Sequence, residues 1–93
     1  MLSMKYFTWN NSKNKQLKKE RNISFEIVAL LIASCKVLEI IEHPNKEKYA
    51  NQFIFIVEYN DYAYLVPFAE DEKEIYLKTI IPSRTATKKY LRK

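Results

Sequence analysis

Arg84 follows Ile80-Ile81-Pro82-Ser83 and opens a stretch, 84–93, that holds five cations and no acid. A guanidinium fixed beside a strand end grips phosphate through paired N–H groups and stays charged at any physiological pH. An arginine closing the last helix against an acid of the sheet fits the same position. Lys78 points away from Ile75, Leu77 and Ile81 and shares the other side of its strand with Tyr76. It reads as a second phosphate contact or as a solvated strand lysine. Glu58 lies with Ile54 and Ile56 on one face of its strand, as a candidate general base or as a strand end in water. His43 is the one imidazole, the side-chain type suited to acid–base work near neutral pH, but it sits in a loop before Pro44 with no partner signalled. One histidine and one cysteine, Cys35, cannot make a zinc site between them. Glycine is absent, which excludes the Gly-rich phosphate loops of nucleotide-binding folds and leaves left-handed turns to Asn and Asp.

The cations are not spread evenly. Residues 1–24 carry six against Glu20, residues 25–78 carry five lysines against ten acids, and residues 79–93 carry five cations alone. If the fold brings the two basic ends together they form one face for a polyanion, with Lys13, Lys18, Lys19 and Arg21 from the first helix and Lys88, Lys89 and Arg92 from the last. Solvating lysines, or an acidic protein partner, account for the same pattern.

The elements that position these groups follow from capping and periodicity. Lys5 to Trp9 reads as a short aromatic strand. Asn10-Asn11-Ser12 offers capping oxygens to a charged helix over 12–21, and Asn22 stands where a left-handed C-cap is due. Ser24 caps a second helix, apolar nearly all round and therefore buried. Strands follow at 36–42, 52–59, 62–68 and 74–81, with Asn60-Asp61 as a tight turn between the second and third. Pro67 marks an edge or a bulge, and a basic helix runs over 85–93. Segregated helices and a meander predict one α+β domain of two layers over residues 1–93, its antiparallel sheet having three to four strands. The longest apolar run, Ile27 to Ala33, is far short of the ~20 residues of a membrane span. No apolar export signal follows the first residues, and a single cysteine suits a reducing compartment, so a cytoplasmic location is expected.

Two blocks carry a family resemblance. Phe7-Thr8-Trp9-Asn10, Lys13 and Ile23-Ser24-Phe25-Glu26 are similar to the opening of the BrnT family, with its F-x-W-D stretch, lysine helix and (V/I)-S-F-E step. Ile80-Ile81-Pro82-Ser83-Arg84-Thr85-Ala86-Thr87-Lys88-Lys89 resembles the closing I-S-A-R-K-A-T-K/R segment of that family. The resemblance implies a RelE-like fold and the toxin half of a bacterial type II toxin–antitoxin pair. It implies a metal-independent ribonuclease without cofactor that inhibits translation, and a BrnA-like antitoxin that neutralises it. Operator DNA would then be met only through the antitoxin complex, and no membrane is involved. Arg84, Lys78 and Glu58 take the catalytic roles under this reading, and Lys13, Lys19, Arg21, Lys88 and Lys89 hold the RNA. A non-catalytic module of the same fold, binding nucleic acid or antitoxin, is the alternative. This chain departs from the family at Asn10, where Asp is common, at Glu20-Arg21-Asn22 in place of Lys-His-Gly, and at Glu70-Asp71-Glu72, where many members are basic. Lys78 stands where an arginine is often found.

Overall fold

The computed structural model describes residues 5–45, 47–48 and 52–91, so the expected helix beyond Leu91, with Arg92, lies outside the described residues. In chain order the elements are β1 (Tyr6–Thr8), α1 (Asn11–Arg21), α2 (Phe25–Ala33), β2 (Val37–Glu42), β3 (Gln52–Tyr59), β4 (Tyr62–Glu70), β5 (Glu74–Leu77), β6 (Ile81–Pro82) and α3 (Arg84–Tyr90).

Each helix begins where a side-chain oxygen can take a free backbone N–H. Asn10 accepts from Lys13, Ser24 from Ile27 and Ser83 from Ala86. With no glycine in the chain, Asn22 ends α1 at φ 54°, and Asn60 and Asp61 turn the β3–β4 hairpin at φ 54° and 61°. Cys35, at φ 60°, reverses the chain after α2. Its Cβ makes that conformation uncommon outside Asn and Asp, and no residue type announced it.

The sheet has six strands rather than three or four, in the order β1-β5-β4-β3-β2, with β6 also beside β4. It is mixed rather than antiparallel, because β1 runs parallel to β5. A strand of two residues is too short for alternation to reveal, which is why β6 escapes a sequence reading. The run 74–81 is not one strand. Leu77 pairs with Phe68 but Ile81 pairs with Leu65, a slip of one residue between β5 and β6. That slip turns Ile80 into the same core as Leu77 and leaves Ile81 exposed, the reverse of simple alternation. Pro67 is likewise not on an edge strand. β4 is flanked on both sides, but Pro67 falls at the break between β6 and β5, where its carbonyl accepts from the Lys78 N–H (2.8 Å) and no N–H is needed.

Two cores form, one on each face of the sheet. Leu17, Ile23, Phe25 and Val28 of the α1–α2 layer pack on Phe55, Val57, Val66, Phe68 and Leu77. Trp9 stacks on Phe25 with ring centroids 5.7 Å apart. On the opposite face Ala86 of α3 packs on Ile56 and Ala63, with Leu38, Ile41 and Leu65 around it. The helices therefore make three layers with the sheet between them, not two. Buried Asn14 ties α1 to α2: its amide accepts from the Phe25 N–H and donates to Glu26, both at 2.8 Å. That second bond holds the Glu26 carboxyl below the usual range. The stabilisation it gives is present above the ordinary carboxylate pKa and is lost as the pH falls through the depressed one.

Buried Thr87 anchors α3. Its hydroxyl accepts from the Ala63 N–H (2.9 Å) and donates to the Ser83 carbonyl (2.7 Å). Thr87→Val fills nearly the same space but strands the Ala63 N–H, with an expected loss of about 1–3 kcal/mol. Urea unfolding should show it as a lower midpoint at unchanged slope.

Candidate functional site

The β3–β4 hairpin gathers the groups with chemical potential at one end of the sheet. Glu58, Lys36, Leu31, Tyr59, Asn60 and Asp61 line a cavity of about 310 Å³ there. Glu58 is half-buried, and neither its carboxylate nor the Lys36 ammonium has a protein partner among the described residues. Lys36 reaches this place because Cys35 turns the chain at the end of α2 and the Lys36 N–H closes on the Leu31 carbonyl (2.9 Å).

Arg84 belongs to the same end. Glu58 lies directly opposite Ala63, and Ser83, the residue before Arg84, donates its N–H to the Ala63 carbonyl at 3.0 Å. Glu58, Ala63 and Ser83 thus stand side by side across neighbouring segments, about 10 Å from first to last at the usual strand spacing. Arg84 is exposed and has neither an ion pair nor a side-chain hydrogen bond among the described residues. The arginine-to-acid lock that would have occupied it is not formed.

Lys78 is placed elsewhere. Its ammonium donates to Gln52 at the start of β3. Gln52 and Glu58 are six residues apart on one strand, about 20 Å at ~3.3 Å per residue, so Lys78 and Glu58 cannot hold a single phosphate. His43 lies at that far end too, its N–H bonded to the Gln52 carbonyl (3.0 Å) and its Nδ1 accepting from Asn45 (3.2 Å).

The basic ends of the chain do not merge into one cradle. α1, with Lys13 and Lys19, covers one face of the sheet, and α3, with Lys88 and Lys89, covers the other. Lys18 pairs with Glu26 at 3.6 Å, and Lys89 lies 5.3 Å from the centre of the Tyr90 ring. Arg21 is the exception. It ends α1 and donates to the Ile80 carbonyl (2.6 Å), so the end of α1 reaches the link between β5 and β6, four residues before Arg84.

Three tyrosines gather at the hairpin, and Arg21 lies near one of them, Tyr64. Tyr62 and Tyr64 meet edge to face with centroids 5.8 Å apart, and Tyr59 and Tyr64 lie 6.4 Å apart. Burial pushes the Tyr64 phenol up, Tyr59 and Tyr62 add to that, and Arg21 opposes it. A second cavity, of about 580 Å³, lies on the α1–α2 face between Ile32, Ile40, Phe53, Phe55, Phe68 and Ile75. Its one carboxylate, Glu70, is paired with Lys5. Among the described residues no three of His, Cys, Asp and Glu stand together to hold a metal ion, and no helix is long and apolar enough to cross a membrane.

Comparison with protein-family models, curated proteins and solved structures gives no match to this chain.

Lys36 is what sequence reasoning missed. Lys36 reads as the first residue of a strand, and only the left-handed turn at Cys35 sends it into the cavity. Tyr62 and Tyr64 alternate on one face with Val66 and Phe68 and read as core, with an exposed Tyr62 near the turn able to stack on RNA; Tyr64 does pack against the core, as does Tyr59.

Proposed function

We propose that this chain is a toxin of a bacterial type II toxin–antitoxin pair, a metal-independent ribonuclease of RelE-like, BrnT-like fold that acts on translation in the cytoplasm. Its partners on this reading are RNA and a small BrnA-like antitoxin. The observation that carries it is that Glu58 and an unengaged Arg84 belong to the same end of the sheet, Glu58 standing about 10 Å, two strand spacings, from Ser83, the residue before Arg84.

Metal-free cleavage asks for a base, a phosphate clamp and a proton source. Glu58 takes the proton of a ribose 2′-hydroxyl, and the oxygen attacks the adjacent phosphorus. Arg84 offers two parallel N–H donors to the phosphorane, whose charge rises by one as it forms. Lys36, lining the same cavity as Glu58, is the cation placed to give a proton to the departing 5′-oxygen. The products are a 2′,3′-cyclic phosphate and a 5′-hydroxyl. The acidic turn at Glu70-Asp71-Glu72 does not oppose this, since β4 runs the length of the sheet from Tyr62 at the site to Glu70 at the far end.

The alternative, a non-catalytic module that binds nucleic acid or antitoxin, draws on one observation: Lys78, at the position of an arginine common in the family, is bonded to Gln52 away from Glu58. The two readings separate in one assay. The purified chain is incubated with RNA in EDTA and the new ends are analysed. Cyclic-phosphate ends that disappear in Glu58→Gln support the ribonuclease. Intact RNA with salt-sensitive binding supports the module, and neither cleavage nor binding overturns both.

A further inference from the structure

The β3–β4 face changes character along its length. In the interior it carries Phe55, Val57, Val66 and Phe68, all buried. At the hairpin end the same face carries Tyr59, Tyr62 and Tyr64, each partly exposed, Tyr59 and Tyr64 with one side against the core. Their ring contacts make a continuous aromatic group at 5.8 and 6.4 Å. None of their hydroxyls has a protein hydrogen bond among the described residues, although a tyrosine used to close a core usually finds one for its hydroxyl. Arg21 lies near Tyr64: one of its five N–H donors is bonded to the Ile80 carbonyl, two residues from Pro82, which pairs with Tyr64. Aromatic faces beside a guanidinium are the combination that holds unstacked bases, because every base has a π-face and every nucleotide a phosphate.

We infer that Tyr59, Tyr62 and Tyr64, with Arg21, form a stacking subsite for a base of single-stranded RNA next to the cleavage site. This rests on the ribonuclease reading and adds a substrate class to it: unpaired RNA rather than duplex. Tyr59 belongs to both places, since its ring joins the aromatic group and its side chain lines the Glu58 cavity. A strand laid over the hairpin end therefore stacks a base on one face of the sheet while a neighbouring phosphate reaches Glu58 and Arg84 on the other. A duplex keeps its bases stacked on one another and has none to offer.

The test measures binding of a fluorescein-labelled twelve-nucleotide RNA with every 2′-oxygen methylated, which removes the nucleophile and prevents cleavage. The single strand is expected to bind at least tenfold tighter than the same sequence in duplex. Tyr62→Leu, which keeps bulk but removes the π-face, should weaken single-strand binding about tenfold, and Tyr62→Phe should not. A strand with abasic sites should bind the native protein as weakly as the intact strand binds Tyr62→Leu, with no further loss on combining the two changes. Should Tyr62→Leu fail to fold, by circular dichroism, photocrosslinking of 4-thiouridine RNA to the native protein decides, and crosslinks must fall in 59–64. Crosslinks elsewhere, or a folded Tyr62→Leu that binds RNA like the native chain, overturn the subsite and leave the ribonuclease reading intact. A native protein that binds no RNA overturns both.

Discussion

Arg84→Ala is expected to lower RNA cleavage by about 10²–10³-fold, the usual cost of removing one preorganised donor from a charged transition state. The fold should survive. Arg84 is exposed, with no ion pair or side-chain hydrogen bond among the described residues, and the start of α3 is held instead by Ser83 and Thr87. A cation in the first turn of a helix also faces the positive end of the dipole, so its removal costs the helix nothing. Arg84→Lys should restore only part of the rate, because an ammonium cannot donate two parallel bonds to the phosphorane. Lys78→Ala is the matched control: with its ammonium on Gln52 at the far end of β3, it should leave the rate near native. Cleavage rates and thermal melts on the same preparations check all three. A native rate in Arg84→Ala removes it from the site, and a fall in rate matched by a fall in melting temperature makes its role structural.

Phe25→Ala is expected to cost about 3–5 kcal/mol. A domain of this size is typically stable by only about 5–15 kcal/mol, so the variant should stand near its unfolding transition at ambient temperature. Phe25 is fully buried, stacks on Trp9, and its own N–H is bonded by the Asn14 side chain. Truncation leaves a void where α1, α2 and the sheet meet, and backbone bonds nearby cannot fill it. Urea denaturation followed by Trp9 fluorescence measures the loss. A change below about 1 kcal/mol would mean that this core collapses around the void instead of holding its shape.

Local chemistry made much of the fold legible. Asn10, Ser24 and Ser83 start helices because their side-chain oxygens meet backbone donors within four residues. Asn60-Asp61 makes the hairpin because both tolerate positive φ, and β3 is delimited by its own alternation over 52–59. The candidate site was legible in part. Glu58 and Arg84 were readable as a carboxylate on a strand face and an arginine behind a proline, and both stand at the hairpin end of the sheet. Lys78 was equally plausible on its own strand, and the length of β3 separates it from Glu58.

What the chain alone determined is whatever a few neighbouring residues decide: helix starts, the tight turn, the apolar faces of long strands, the partition of charge into basic ends and an acidic middle. Tertiary structure decided the rest. The one-residue slip between β5 and β6 reversed the faces of Ile80 and Ile81, because a strand's two-residue period makes any single insertion an inversion. α3 went to the face opposite α1 and α2, keeping the two basic ends apart except where Arg21 reaches Ile80. Which groups meet depends on strand order and on the side of the sheet each helix covers. Both are settled by contacts between residues far apart in the chain, which no local pattern encodes.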